Sequence, residues 1–152
     1  MEIEQVDLPE TTLAVVRERV AMTALTGFYD SAYTRVERAL TAAGLAPTGP
    51  AIGWYADMPT DSVDVAAGFA VPDGAGPFVD DVQTHTLPAG AAVVGTYTGP
   101  YDGLPGAWDQ LVTWAAQHGA AGRGDFWEEY LTDPSPDDDP AANVTRLVLP
   151  LR

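Results

Sequence analysis

Apolar residues recur at helical spacing in two segments and predict two one-sided helices. The first segment spans residues 26–43 and stops before Gly44, which suits a left-handed C-cap; its stripe is Tyr29, Tyr33, Val36, Leu40 and Ala43. The second segment runs from Asp102, the expected N-cap, to Gly119, with Pro105 tolerated in the first turn. Its stripe is Leu104, Trp108, Leu111 and Ala115.

The extended segments around these helices form an approximate internal repeat. Leu8-Pro9 and Leu87-Pro88 lie 79 positions apart, and each precedes a run rich in β-branched residues. Because proline cannot donate to a ladder, each Leu-Pro step predicts a bulge or a strand edge. The strand after each helix repeats at a spacing of 75, and a last strand closes each half; the predicted strands are 49–55 and 63–71, then 124–130 and 144–151.

Each half therefore reads strand, helix, strand, strand. This order predicts an α+β fold, a duplicated βαββ with pseudo-two-fold symmetry. The sheets should be mainly antiparallel, with a helix over one face of each. We expect one domain over residues 1–152, with halves of about 1–72 and 78–152 joined by a turn-rich segment. A ligand cleft is expected between the halves, near the shared axis.

Composition narrows the classes of partner. The 152 residues carry 22 acidic and 7 basic side chains, a formal charge of −15, and no cysteine. Such a surface repels phosphate backbones, so we expect no nucleic-acid partner. The same field concentrates cations, although it also serves simple solubility. The N-terminus lacks the features of a signal peptide and the apolar runs are short, so we expect a cytoplasmic protein without a membrane partner.

Motifs for metals, cofactors or a serine nucleophile are missing from the sequence. His85 and His118 lie in different predicted elements, which argues against a histidine-rich metal site. The acidic run 137–139 lacks the spacing of a calcium loop, and no serine lies in a nucleophile elbow. The glycine-rich segment 119–124 follows a helix and precedes a strand, the wrong order for a phosphate loop. We therefore expect neither a metal nor a cofactor.

Glu128 is the main candidate for chemistry. In the predicted strand 124–130, Glu128 and Tyr130 share one face. Neither face is cleanly polar, so the strand should pack on both sides and enclose one of its two glutamates. Tyr130 and its repeat partner Tyr55 would converge on the pseudo-axis, which favours Glu128. A carboxylate among aromatic rings suits a flat hydrophobic cation. A solvated strand glutamate is equally compatible with the spacing alone.

Aromatic residues supply the other candidate ligand contacts. Most of the 14 aromatic side chains must be core, and a minority should line a cavity. The candidates for the cavity are Tyr33, Tyr55, Trp108 and Tyr130, together with Trp54 and Tyr101.

Several short motifs, taken in order, resemble those of the GyrI-like small-molecule-binding domains. These domains also serve as effector-binding domains of multidrug-responsive transcription regulators. The resemblance covers nearly the whole chain; it rests on Leu8-Pro9, Gly99-Pro100-Tyr101, Trp127-Glu128-Glu129-Tyr130, Thr132-Asp133-Pro134 and Thr145 with Leu149-Pro150-Leu151.

The resemblance implies a duplicated βαββ fold with a ligand channel between its halves. It also implies that Glu128 contacts hydrophobic cations through a cage of aromatic side chains. Some stand-alone members resemble hydrolases that open cyclopropane-bearing alkylating compounds, with the glutamate and neighbouring tyrosines assisting water attack. Because residue 1 already enters the first half, with no helix-turn-helix segment before it, a DNA-reading regulator is disfavoured unless it acts by recruiting another protein.

Three functions remain open on the sequence. The leading hypothesis is a protein that binds bulky hydrophobic, aromatic or cationic compounds, for drug sequestration or sensing. The second is a hydrolase with Glu128 as general base and Tyr55 or Tyr130 orienting substrate or water. The third is an acidic inhibitor of a topoisomerase-like enzyme, ranked lowest because the acidic residues are scattered. Whether the chain is an enzyme stays open.

Overall fold

The part of the chain that the structure describes forms one antiparallel sheet and two α-helices. A computed structural model describes residues 1–132 and 139–152, which contain eight strands. In chain order the elements are β1 (Ile3–Leu8), β2 (Thr11–Ala21), α1 (Leu25–Ala42), β3 (Ala51–Tyr55), β4 (Ser62–Val71), β5 (Gln83–Leu87), β6 (Gly90–Thr98), α2 (Leu104–Gln117), β7 (Phe126–Tyr130) and β8 (Val144–Pro150). The strands lie in the order β1-β6-β8-β7-β3-β4-β2-β5 and curl into a half-barrel. The predicted α+β fold is confirmed.

The sheet is symmetric about its centre. Equivalent strands of the two halves lie at equal distances from the centre of the sheet: β3 and β7 at the centre, then β4 and β8, then β2 and β6, and β1 and β5 at the edges. The pseudo-two-fold axis therefore lies between β3 and β7. The two βαββ units consequently share one continuous sheet, where the sequence predicted a sheet for each. A further strand precedes each unit, β1 before β2 and β5 before β6, and it pairs with the other unit, β1 with β6 and β5 with β2. The Leu-Pro steps separate β1 from β2 and β5 from β6. This agrees with the prediction, because proline has no backbone N–H to donate to a ladder.

Both helices pack on one face of the sheet. From α1, Phe28, Val36 and Leu40 pack over β2 and β4 in one core cluster. From α2, Leu104 and Leu111 pack over β6 and β8 in another. The opposite face carries a third apolar cluster drawn from both halves, and it includes Leu13, Val15, Ile52, Trp54, Leu87, Trp127 and Val148. The central strands are thus buried on both sides, and they place Glu128 between the two helices.

The helix ends agree with the sequence at the C-termini and differ at one N-terminus. Gly44 and Gly119 adopt left-handed conformations, with φ of +72° and +70°, as C-terminal glycines do. The prediction of Asp102 as N-cap was wrong. A 3₁₀ turn over Tyr101–Gly103 precedes α2, and Gly103 is the N-cap, without a side-chain capping bond. The Tyr97 hydroxyl donates to the Pro100 carbonyl at 2.8 Å and stabilises this turn, and the α-helix starts one residue later than predicted, at Leu104.

The sequence predicted neither a metal site nor a membrane partner. Among residues 1–132 and 139–152, no cluster of potential ligand side chains is arranged to hold a metal ion. Of the acidic run 137–139, only Asp139 lies within the described residues. Neither helix is long and apolar enough to cross a bilayer.

Candidate functional site

The pseudo-two-fold axis passes through the pair Gly53 and Glu128. These residues lie directly opposite each other in the antiparallel β3–β7 ladder, and they are also repeat equivalents, 75 positions apart. A Cβ on Gly53 would lie 2.7 Å from the Tyr29 hydroxyl oxygen and 3.1 Å from that of Tyr130. The duplicated scaffold therefore provides one carboxylate at its centre, because the equivalent position has no side chain.

Glu128 is buried and accepts hydrogen bonds from uncharged donors. Only 5% of the residue is exposed. The Tyr130 hydroxyl donates to Oε1 at 2.8 Å, and the Trp108 indole N–H donates to Oε2 at 3.0 Å. The Tyr55 hydroxyl lies 3.5 Å from Oε1 and makes a weaker contact. None of the four ion pairs among the described side chains includes Glu128.

Burial therefore controls the ionisation of this carboxyl. Loss of solvent raises the pKa of Glu128 above its ordinary value, and the hydrogen bonds from Trp108, Tyr130 and Tyr55 offset only part of that rise. Burial also raises the pKa of each nearby tyrosine, with the Glu128 charge adding to the effect, so these hydroxyls stay protonated at neutral pH; they are Tyr29, Tyr33, Tyr55 and Tyr130. The site is a single buried carboxyl surrounded by neutral hydrogen-bond donors.

Aromatic rings from both helices and both central strands surround this carboxylate. On one side Phe126 stacks on Tyr55, with ring centroids 5.1 Å apart, and meets Trp108 edge-on at 4.9 Å. On the other side Tyr29 stacks on Tyr33 at 5.8 Å. The Tyr29 and Tyr55 hydroxyls hydrogen-bond to each other and link the two groups of rings. We call Glu128 and these rings, together with Tyr130, the Glu128 site.

The structure brings most of the predicted ligand contacts together. Tyr33, Tyr55, Trp108 and Tyr130 all lie in the Glu128 site, on the face of the sheet that carries the helices. Tyr101 lies further out: its ring meets Tyr130 edge-on at 5.9 Å, and 37% of the residue is exposed.

Trp54 does not join the Glu128 site. It lies on the opposite face of the sheet, because side chains alternate along β3 and its neighbours Gly53 and Tyr55 face the helices. Its indole N–H donates to Asp125 at 2.9 Å, and the Arg17 guanidinium lies 4.8 Å from its ring. Trp54 is thus part of the core on the far side of the sheet.

Two ring residues of the site were missed by the candidate list. Tyr29 lies one helical turn before Tyr33, so it shares the same face of α1. Phe126 lies two positions before Glu128, so it shares the same face of β7. Both periodicities are visible in the sequence. The decision between core and site depended on the position of the axis, which periodicity does not give.

The whole chain, residues 1–152, matches the family model of the GyrI-like small molecule binding domain. The chain belongs to the GyrI-like family. The family resemblance stated from the sequence is thereby confirmed, and binding of a small molecule is the established role of such a domain. A comparison with curated proteins gives no match.

Solved structures of low sequence identity share the GyrI-like fold. The EcmrR C-terminal domain superposes with a TM-score of 0.84 at 22% identity, covering 99% of this chain and 97% of that one. SAV2435 bound to tetraphenylphosphonium gives 0.71 at 14%, covering 100% and 94%. A hydrolase from Listeria innocua gives 0.69 at 15%, covering 99% and 92%.

EcmrR is also known in a complex with DNA. That structure superposes on this GyrI-like chain with a TM-score of 0.85 at 22% identity, and it covers 99% of this chain but 57% of the EcmrR chain. This chain therefore spans little more than half of that relative's length. The expectation that this chain itself contacts no nucleic acid stays a prediction.

Proposed function

We propose that this GyrI-like domain binds bulky hydrophobic cations at the Glu128 site. One observation carries the proposal: a buried carboxylate, 5% exposed, accepts bonds only from neutral donors and takes part in none of the ion pairs formed by the described side chains. Removing a carboxylate from water without a counter-charge is unfavourable. A ligand cation would supply that counter-charge.

The aromatic rings around Glu128 also suit a hydrophobic cation. The faces of aromatic rings attract cations, and Trp and Tyr do so more strongly than Phe. Tyr29, Tyr33, Tyr55, Tyr130 and Trp108 offer such rings within one cluster. The net charge of −15 would raise the concentration of cations near the protein. SAV2435, of the same fold, binds tetraphenylphosphonium, which makes this cation a suitable first probe.

Two probes of equal shape and opposite charge test the proposal. Tetraphenylphosphonium and tetraphenylborate present the same four phenyl rings, so a purely apolar site would hold them about equally. We expect calorimetry to show that the phosphonium binds at least roughly tenfold more tightly than the borate, because the Glu128 carboxylate repels the borate anion. Equal affinities, or tighter borate binding, would contradict a cation site.

We further propose hydrolysis as the second candidate function of the same site. A carboxyl whose pKa burial raises is a better general base near neutral pH than an ordinary glutamate. Two tyrosine hydroxyls, of Tyr130 at 2.8 Å and Tyr55 at 3.5 Å, lie beside the same oxygen, Oε1, where they could orient water or substrate. The Listeria innocua protein of the same fold is described as a hydrolase.

Turnover of an electrophilic cyclopropane compound distinguishes the two functions. If Glu128 acts as a general base, Glu128→Gln should lower the rate of consumption roughly 10²- to 10⁴-fold, the usual contribution of such a group. Mass spectrometry of the compound over time provides the measurement. A compound that binds but is recovered intact from the wild type supports binding alone.

A further inference from the structure

Tyr29 occupies the place where the duplicated scaffold lacks its second central side chain. Its hydroxyl oxygen lies 2.7 Å from the position that a Cβ of Gly53 would take. The repeat equivalent of Tyr29 in α2 is Leu104, which packs into the core beneath that helix. Equivalent positions of the two helices therefore differ: Leu104 of α2 packs in the core, whereas the ring of Tyr29 of α1 reaches the pseudo-two-fold axis. The asymmetry concerns the ring that lies over Gly53, beside Glu128.

Contacts on three sides hold the Tyr29 ring at the axis. Its hydroxyl forms a hydrogen bond with the Tyr55 hydroxyl, and its ring face stacks on Tyr33. Its ring also packs edge-on against Tyr130, with ring centroids 6.2 Å apart. Two open surface grooves, of about 470 and 390 Å³, lie beside the start of α1 and along residues 75–84. At the axis, side-chain atoms of Tyr29 and Tyr130 fill the space over Gly53.

We propose that Tyr29 is the specificity-determining residue of the Glu128 site, because it limits the size of the cation that reaches the carboxylate. The inference rests on the proposed cation binding and deepens it. A small onium ion needs only local space beside Glu128. An ion with four aryl groups needs the volume of the Tyr29 ring as well, so it must displace that ring and break its hydroxyl contact with Tyr55. The apparent affinity for large ions is then the intrinsic affinity multiplied by the fraction of protein in which the ring is displaced.

Two phosphonium ions of different size and equal charge measure this limit. We expect Tyr29→Ala to increase the affinity for tetraphenylphosphonium, relative to tetraethylphosphonium, on the order of tenfold. That is the scale of one hydrogen bond combined with one aromatic contact. Leu25→Ala is the control: it shortens a half-buried apolar side chain of α1 outside the Glu128 site and should leave the ratio unchanged. Tyr29→Leu replaces the first variant if Tyr29→Ala does not fold.

The outcomes separate the two proposals. An unchanged or decreased ratio in the Tyr29 variants, with binding that still depends on Glu128, overturns the role of Tyr29 alone. If the wild type binds neither ion, cation binding and the role of Tyr29 both fail. A similar increase in Leu25→Ala would assign the effect to general loosening of α1 and would also overturn it.

Discussion

Replacing Glu128 with glutamine is expected to weaken tetraphenylphosphonium binding roughly 10- to 100-fold. The substitution removes the charge and retains nearly the same volume, so the aromatic rings stay in place. The estimate follows from a charge pair separated by about 5 Å at an effective dielectric constant of about 20, reduced for the hydration that the cation loses. Calorimetry on both proteins at equal ionic strength provides the measurement.

Glu129→Gln is the matched control for that change. Glu129 is the next residue on β7 and faces the other side of the sheet, where it pairs with Arg146 at 3.3 Å and accepts a bond from Trp127. The two variants have the same composition and net charge. Affinity should stay near the wild-type value in Glu129→Gln. An equal loss in both variants would indicate a long-range effect of net charge and would contradict a direct role for Glu128.

The pH dependence of binding provides a second readout of the same residue. Tetraphenylphosphonium does not titrate, so the dependence belongs to the protein. Because burial raises the pKa of Glu128, its carboxyl takes up a proton at a higher pH than an ordinary glutamate, whose pKa is about 4.3. Affinity should therefore fall as the pH falls through the raised pKa, and it should be full above it. The nearby tyrosines, with raised pKa values, stay neutral throughout. Glu128→Gln should show a flatter profile.

Gly68→Ala is expected to destabilise the fold by about 3 kcal/mol or more. Gly68 lies in β4 between β2 and β3, opposite Val15 and Ile52. A Cβ there would lie 1.8 Å from the carbonyl oxygen of Ala14, and a backbone atom in a central strand cannot rotate away. The strands would have to separate, and the free energy lost would exceed the roughly 1–3 kcal/mol that overpacking a core usually costs. Chemical denaturation measures the free energy of unfolding.

Gly106→Ala is the corresponding control in a helix. No atom lies within 4 Å of a Cβ at Gly106, in the first turns of α2. Alanine should stabilise this variant by about 0.5–1 kcal/mol, because it lowers the entropy of the unfolded chain. A Gly68→Ala protein as stable as the wild type would mean that β2 and β4 lie further apart than described.

Much of the architecture follows from local patterns. The two apolar stripes place α1 and α2 within two residues of their observed ends, because burial of one helix face imposes a period of 3.6 residues. The repeat at a spacing of 75 gives the duplicated βαββ order and the correspondence between Tyr55 and Tyr130. Local patterns did less well at the start of α2, where Tyr97 stabilises a turn that no capping rule describes.

The sequence by itself determined the class of the fold, the twofold repeat and the fact that Glu128 and Tyr130 share one face of their strand, since all three depend on spacing along the chain. Only the tertiary structure decided that the halves share one sheet, that Gly53 faces Glu128 on the axis, and that Trp54 lies on the far side. Those facts depend on which strands pair and in which register. Pairing joins residues distant in sequence, and the burial of both faces left the register without a polar side to reveal it.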